Sequence, residues 1–182
     1  FERAKSALET YKTLAVQLDN LEVTGSVIED EGVLYATLDE HEKAMAQFNK
    51  TLALIEEAQQ YHFAEARLLS RRASSELALG LTDAALADVA SSRDTVKKYS
   101  VTARGYVWPW TVEAFTHLAL GNLPHAWTAA QEAERYDKEE DPKVTSVVLA
   151  RVLHALGQEE RAVAELKTFL AQQDPDLPMK IE

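Results

Sequence analysis

The segment HEKAM (His41–Met45) opens with the His-Glu pair of a zinc-hydrolase helix. That chemistry needs a second histidine four residues after the first, so that both imidazoles face one metal ion. Met45 stands there instead, so the segment reads as the polar first turn of a helix. His117 and His154 are 37 residues apart. Two imidazoles without a third ligand make a poor zinc site, and they read as partly buried histidines on adjacent repeats. The acidic run ERYDKEEDPK (134–143) lacks the ligand alternation and glycine of a calcium loop and reads as a solvated linker. There is no cysteine, no G-x-S-x-G elbow and no phosphate-cradling glycine loop. No catalytic residue, metal site or cofactor is expected. What remains is arginine: Arg67, Arg71 and Arg151 present forked donors of the kind that bind carboxylates, phosphates or acidic peptides. The competing reading of RRAS (71–74) is a solvated helix face paired with Glu65 or Glu76.

The charge balance narrows the partners. With 19 Lys and Arg against 30 Asp and Glu, the chain carries a formal charge of −11. Phosphate backbones and anionic membrane surfaces are bound by basic side chains, so neither direct nucleic-acid binding nor membrane binding is expected. The apolar runs are too short to span a bilayer. No leader opens the chain and its first residue is Phe1, so it reads as a cytoplasmic piece of a longer protein. Hydrophobic residues make up 46% of 182 residues, with six glycines and five prolines. Such a composition suits a folded chain, and its abundance of alanine, leucine and glutamate favours helices.

Those helices must come from a repeat. The segments YATLDEHEKAMAQF (35–48), ELALGLTDAALADV (76–89), HLALGNLPHAWTAA (117–130) and VLHALGQEERAVAEL (152–166) align on Asp39, Gly80, Gly121 and Gly157, spaced by 41, 41 and 36 residues. Each turn residue is followed five places later by alanine: Ala44, Ala85, Ala126 and Ala162. Apolar residues fall at helical spacing on both sides of the turn. Glycine suits the residue past a helix end because that position usually adopts a left-handed conformation. Alanine allows two helices joined by so short a turn to approach closely. Thr82 or Asp83, and Asn122, are the expected caps of the helices that follow. Pro109, in YVWPW (106–110), is expected in the first turn of its helix. Trp110 is expected in the core, and Trp108 is assigned by preference to solenoid packing rather than to an exposed binding face.

These units resemble the tetratricopeptide-repeat (TPR) family, whose pattern has a glycine between helices A and B, a small residue five later and an aromatic four beyond. Ala44 with Phe48 matches it, as do Gly32 and Tyr35 within helix A and Trp110 early in another helix A. The period of about 40 is similar to that of kinesin-light-chain-like and bacterial regulatory TPR domains. The resemblance implies an all-α fold: an α-solenoid, a right-handed superhelix of about nine helices forming one domain over 1–182. Its parts are a helix B of a preceding repeat (1–22), repeats at 23–61, 62–100, 101–138 and 139–175, and a tail (176–182). It also implies a concave groove lined by helix A residues: Ser26, Glu29 and Val33, then Arg67, Ser70, Arg71 and Ser74, then Trp108, Thr111 and Phe115, then Val147, Arg151 and His154. None is Asn or Lys, so the lysine–asparagine clamp of chaperone-binding members is not expected. The implied function is non-catalytic: binding a protein or peptide partner, acidic in character, in the groove. The alternative is a ligand- or peptide-sensing regulatory domain of a bacterial transcription regulator or signalling enzyme. An uncapped solenoid end offers a further route to a homo-oligomer.

Overall fold

A computed structural model describes residues 2–18, 20–58, 61–99, 103–137 and 145–173. Among the described residues there are nine helices: α1 (Glu2–Leu18), α2 (Leu21–Thr37), α3 (His41–Ala58), α4 (His62–Ala78), α5 (Thr82–Lys98), α6 (Ala103–Ala119), α7 (Leu123–Asp137), α8 (Thr145–Ala155) and α9 (Glu159–Gln173). None is long and apolar enough to cross a membrane. The chain divides into two compact units, Phe1–Thr95 and Val96–Glu182.

The turns obey one backbone rule. Asp39, Gly80, Gly121 and Gly157 all adopt positive φ, between 63° and 76°. Each closes its helix with a paired backbone motif. The Gly80 N–H donates to the Leu77 carbonyl (3.0 Å) and the Leu81 N–H to the Glu76 carbonyl (2.8 Å). The same two bonds recur at Asp39–Glu40, Gly121–Asn122 and Gly157–Gln158. They satisfy carbonyls that a helix end otherwise leaves open. Asn122 occupies the cap position before α7, whereas Leu81, not Thr82 or Asp83, precedes α5.

In the first unit α2 packs on α3, α3 on α4, and α2 also touches α4. Phe48, Ala44, Ile55 and Leu68 form its buried centre, with Val33, Tyr35 and Leu52 against them. In the second unit α6, α7, α8 and α9 pack in sequence, and α6 also touches α8. Ala114, Ala126, Ala129, Ala130, Val148, Leu149 and Val152 form that centre, flanked by Trp110 and Trp127. Within each unit neighbouring helices therefore pack in sequence, and alternate helices meet at α2–α4 and α6–α8. That pattern buries apolar faces which a lone helix pair leaves open. The alanines after the turns are buried throughout, as close helix approach requires: Ala44, Ala85, Ala126 and Ala162.

Two expectations around YVWPW fail. Pro109 lies inside α6, as its seventh residue, not in the first turn; helix forms upstream of it across Ala103–Trp108. Trp110 does join the core, but Trp108 is 46% exposed rather than packed into the solenoid. Residues two apart on a helix point about 200° apart around its axis, so both tryptophans cannot face inward. The acidic run is not wholly solvated either. Asp137 is buried, and its carboxylate accepts from the Thr145 N–H (3.1 Å) and Oγ1 (2.7 Å), capping α8. Residues 138–143 of that run lie outside the described residues.

Candidate functional site

The arginines expected in the groove of the first unit converge on one carboxylate. Glu29 of α2 is 5% exposed. Arg67, on α4, donates to it from Nε and Nη2, both at 2.7 Å. Arg71, one turn further along α4, forms an ion pair with it, Nη1 to Oε1 at 2.6 Å. Burial pushes the Arg71 guanidinium below its ordinary pKa; Glu29 opposes the shift and the neighbouring Arg67 charge adds to it. Burial, then the Glu29 charge, raises the neighbouring Asp30 carboxyl above the usual range. Arg67 and Arg71 are thus engaged with Glu29, which is neither Glu65 nor Glu76. A fork–fork pair of this kind fixes two A helices to each other.

Beside this cluster α2, α3 and α4 leave a cleft of about 230 Å³. Leu21, Leu54, Ile55, Phe63 and Ala64 supply its apolar walls, and Glu22, Glu29, Thr51, Tyr61 and Arg67 its polar points. Exposed Leu21, Tyr61 and Phe63 mark its mouth. The Arg67 guanidinium stands 5.5 Å from the Phe63 ring centroid. Tyr61 precedes α4 with φ 67° and ψ 37° and makes no side-chain cap. A bulky residue in the left-handed region is strained, and such strain clusters at binding clamps. Gly25 keeps the α2 wall of the cleft low, facing the Thr51 methyl.

Of the other residues expected to line a groove, Ser70 is buried and pairs with Ser92 Oγ at 3.0 Å. Ser74 is exposed, its hydroxyl donating to the Ser70 carbonyl. Thr111 is buried, its hydroxyl donating to the Val107 carbonyl. Ser70 and Thr111 therefore face the packing, about one helical position off the expected register. In the second unit the structure brings Arg151 over the Phe115 ring at 4.9 Å. His154 is exposed and its Nδ1 lies 2.8 Å from Glu159, so it does not meet His117. His117 stands 5.2 Å from the His125 ring. Among the described residues no group of three His, Asp or Glu is placed to hold a metal ion.

Another α4 arginine was not singled out by sequence. Arg72 donates from Nε and Nη2 to Asp88 (2.6 and 2.7 Å) and from Nη1 to Asn49 (2.6 Å). Glu76 sits 3.9 Å from the same guanidinium, buried, with Oε2 unbonded. Burial, then Asp88, raises its carboxyl above the usual range, and Arg72 opposes them only in part. A carboxyl raised by folding stabilises below its ordinary pKa and loses that contribution as pH rises through the raised value. Glu76→Gln removes this loss. Urea melts from pH 4.5 to 8 should show the variant gaining on the wild type as pH rises, by about 1 kcal/mol at pH 8. A constant difference across that range rules the burial argument out.

No family model and no curated protein sequence matches the chain. Among solved structures, the crystal structure of BtubC (BKLC) from P. vanneervenii is similar to it, with a TM-score of 0.72 and 13% identity over 95% of this chain and 74% of that one. The fold is all-α, of the α-solenoid class. At that identity the likeness speaks for the fold alone, and the site is argued from its own residues.

Proposed function

We propose that the chain is a non-catalytic interaction module, of the TPR type, that seats a partner peptide in the cleft of its first unit. The cleft itself carries the reading: an apolar trough bounded by three helices, with two exposed aromatics and an exposed leucine at its mouth. Interface energy concentrates where an anchor side chain fills such a pocket and excludes water. The strained Tyr61 and the cross-linked α2–α4 wall hold the trough open before a partner arrives. Preorganisation of that kind lowers the cost of ordering on binding. Because Arg67 and Arg71 pair with the buried Glu29, mutating them changes stability along with any binding. Leu21→Ser with Phe63→Ser separates the two, since both side chains are exposed and surface substitutions cost little. A random peptide library panned against the wild type should yield sequences whose binding falls at least tenfold in that double variant while its melting temperature stays within about 3 °C. Enriched peptides indifferent to the double variant would sink the assignment of this cleft.

A further inference from the structure

We infer that the segment seated in the cleft is cationic as well as apolar: a large apolar residue flanked by lysine or arginine. The inference rests on the peptide-binding reading above and reverses the acidic partner that the arginines, read as sequence, imply. An acidic ligand would compete for the Arg67 and Arg71 guanidiniums with Glu29, a buried carboxylate already engaged on both oxygens. Breaking those bonds strands a buried charge, which an incoming surface carboxylate cannot repay.

The remaining field points the same way. Residues 1–95 hold 9 Lys and Arg against 17 Asp and Glu, a formal charge of −8. Besides Arg67 and Arg71, three further cations of this unit are held in local pairs: Lys12 with Glu31 at 2.7 Å, Lys43 with Glu40, and Arg72 with Asp88. Glu22, on the cleft wall, is exposed and has no ion pair among the described residues. Glu57 is exposed on α3, three residues after the lining Leu54 and so on the same helix face. A net negative surface around an apolar trough raises the encounter rate of cationic partners and repels anionic ones. The exposed Tyr61 ring adds a face on which an ammonium or guanidinium can rest.

The test starts from the same library, with enriched sequences sorted by net charge. One enriched peptide is then made synthetically with a fluorescent label and titrated by anisotropy at 50 and 500 mM NaCl, against the wild type and against Glu22→Gln with Glu57→Gln. Both glutamines keep the shape and remove only charge. The expected result is enrichment of apolar–basic sequences, affinity lower by about tenfold at high salt, and a loss of about threefold for each carboxylate removed. Acidic or neutral peptides that still need Leu21 and Phe63 would overturn this inference and leave the cleft as the binding site. A library that yields no binder would overturn both.

Discussion

Glu29→Ala will destabilise the protein by about 2–3 kcal/mol, more than removal of either arginine it holds. The carboxylate is 5% exposed, accepts two short charge-assisted hydrogen bonds from Arg67 and forms an ion pair with Arg71. Removing one member of a fully buried ion pair costs about 3–5 kcal/mol, because the surviving charge is left without compensation. Here two guanidiniums survive and repel each other. Their side chains are about one-third exposed (35% and 36%), so water recovers part of the loss and the lower figure applies. Arg71→Ala should cost about 1 kcal/mol, since Arg67 still grips both oxygens. Glu29→Gln should fall between the two, keeping one acceptor and losing the charge. Chemical denaturation of the three variants measures the order directly. If Glu29→Ala matches Arg71→Ala, the carboxylate is not the hub, and the α2–α4 wall is held by apolar packing alone.

The backbone demands of this fold were legible in the sequence, and its side-chain partnerships were not. A residue that must adopt positive φ after a helix leaves a local mark. Gly80, Gly121 and Gly157 carry it, and Asp39 does so in the one copy without glycine. The small residue five later is equally local, because a larger side chain at Ala44 or Ala126 has no room between two helices. The Glu29 cluster is different. Read as sequence, its members share a surface as independent donors and acceptors, and the carboxylates nearest the arginines in the chain, Glu65 and Glu76, lie on the same helix. A signal was available. Arg67 and Arg71 lie 38 and 42 residues after Glu29, so they bracket its equivalent one period of 41 later. Opposite charges one repeat apart on A helices that touch are positioned to pair. Tyr61 left no comparable mark, since neither glycine nor asparagine stands at its left-handed position before α4. Pro109 misled for a related reason: proline marks a first turn by preference only, and here α6 tolerates it within the helix.

Phe48→Ala should cost about 3–5 kcal/mol, and its most informative consequence is what it does to Gly32. The Phe48 ring is 1% exposed at the centre of the first unit. A Cβ added at Gly32 would lie 2.5 Å from Phe48 Cε1 and 2.8 Å from Cδ1. Those are impossible contacts, and a ring packed on all sides cannot swing away. Glycine inside a helix costs about 1 kcal/mol relative to alanine, so Gly32→Ala gains that much from the backbone alone. Overpacking a filled core costs about 1–3 kcal/mol, and the rigidity of the ring puts this site at the upper end. The single variant Gly32→Ala is therefore destabilised by about 1–2 kcal/mol. With Phe48 already alanine the clash is gone and the helix gain stands alone, so the same substitution should stabilise by about 1 kcal/mol. The sign reversal amounts to a coupling of about 2–3 kcal/mol, near the top of what contacting residues show. Equilibrium urea unfolding of the four proteins in this cycle decides it. Additive values would mean that the ring does not rest on Gly32. The helix-A glycine of this unit would then answer to something other than the aromatic across from it.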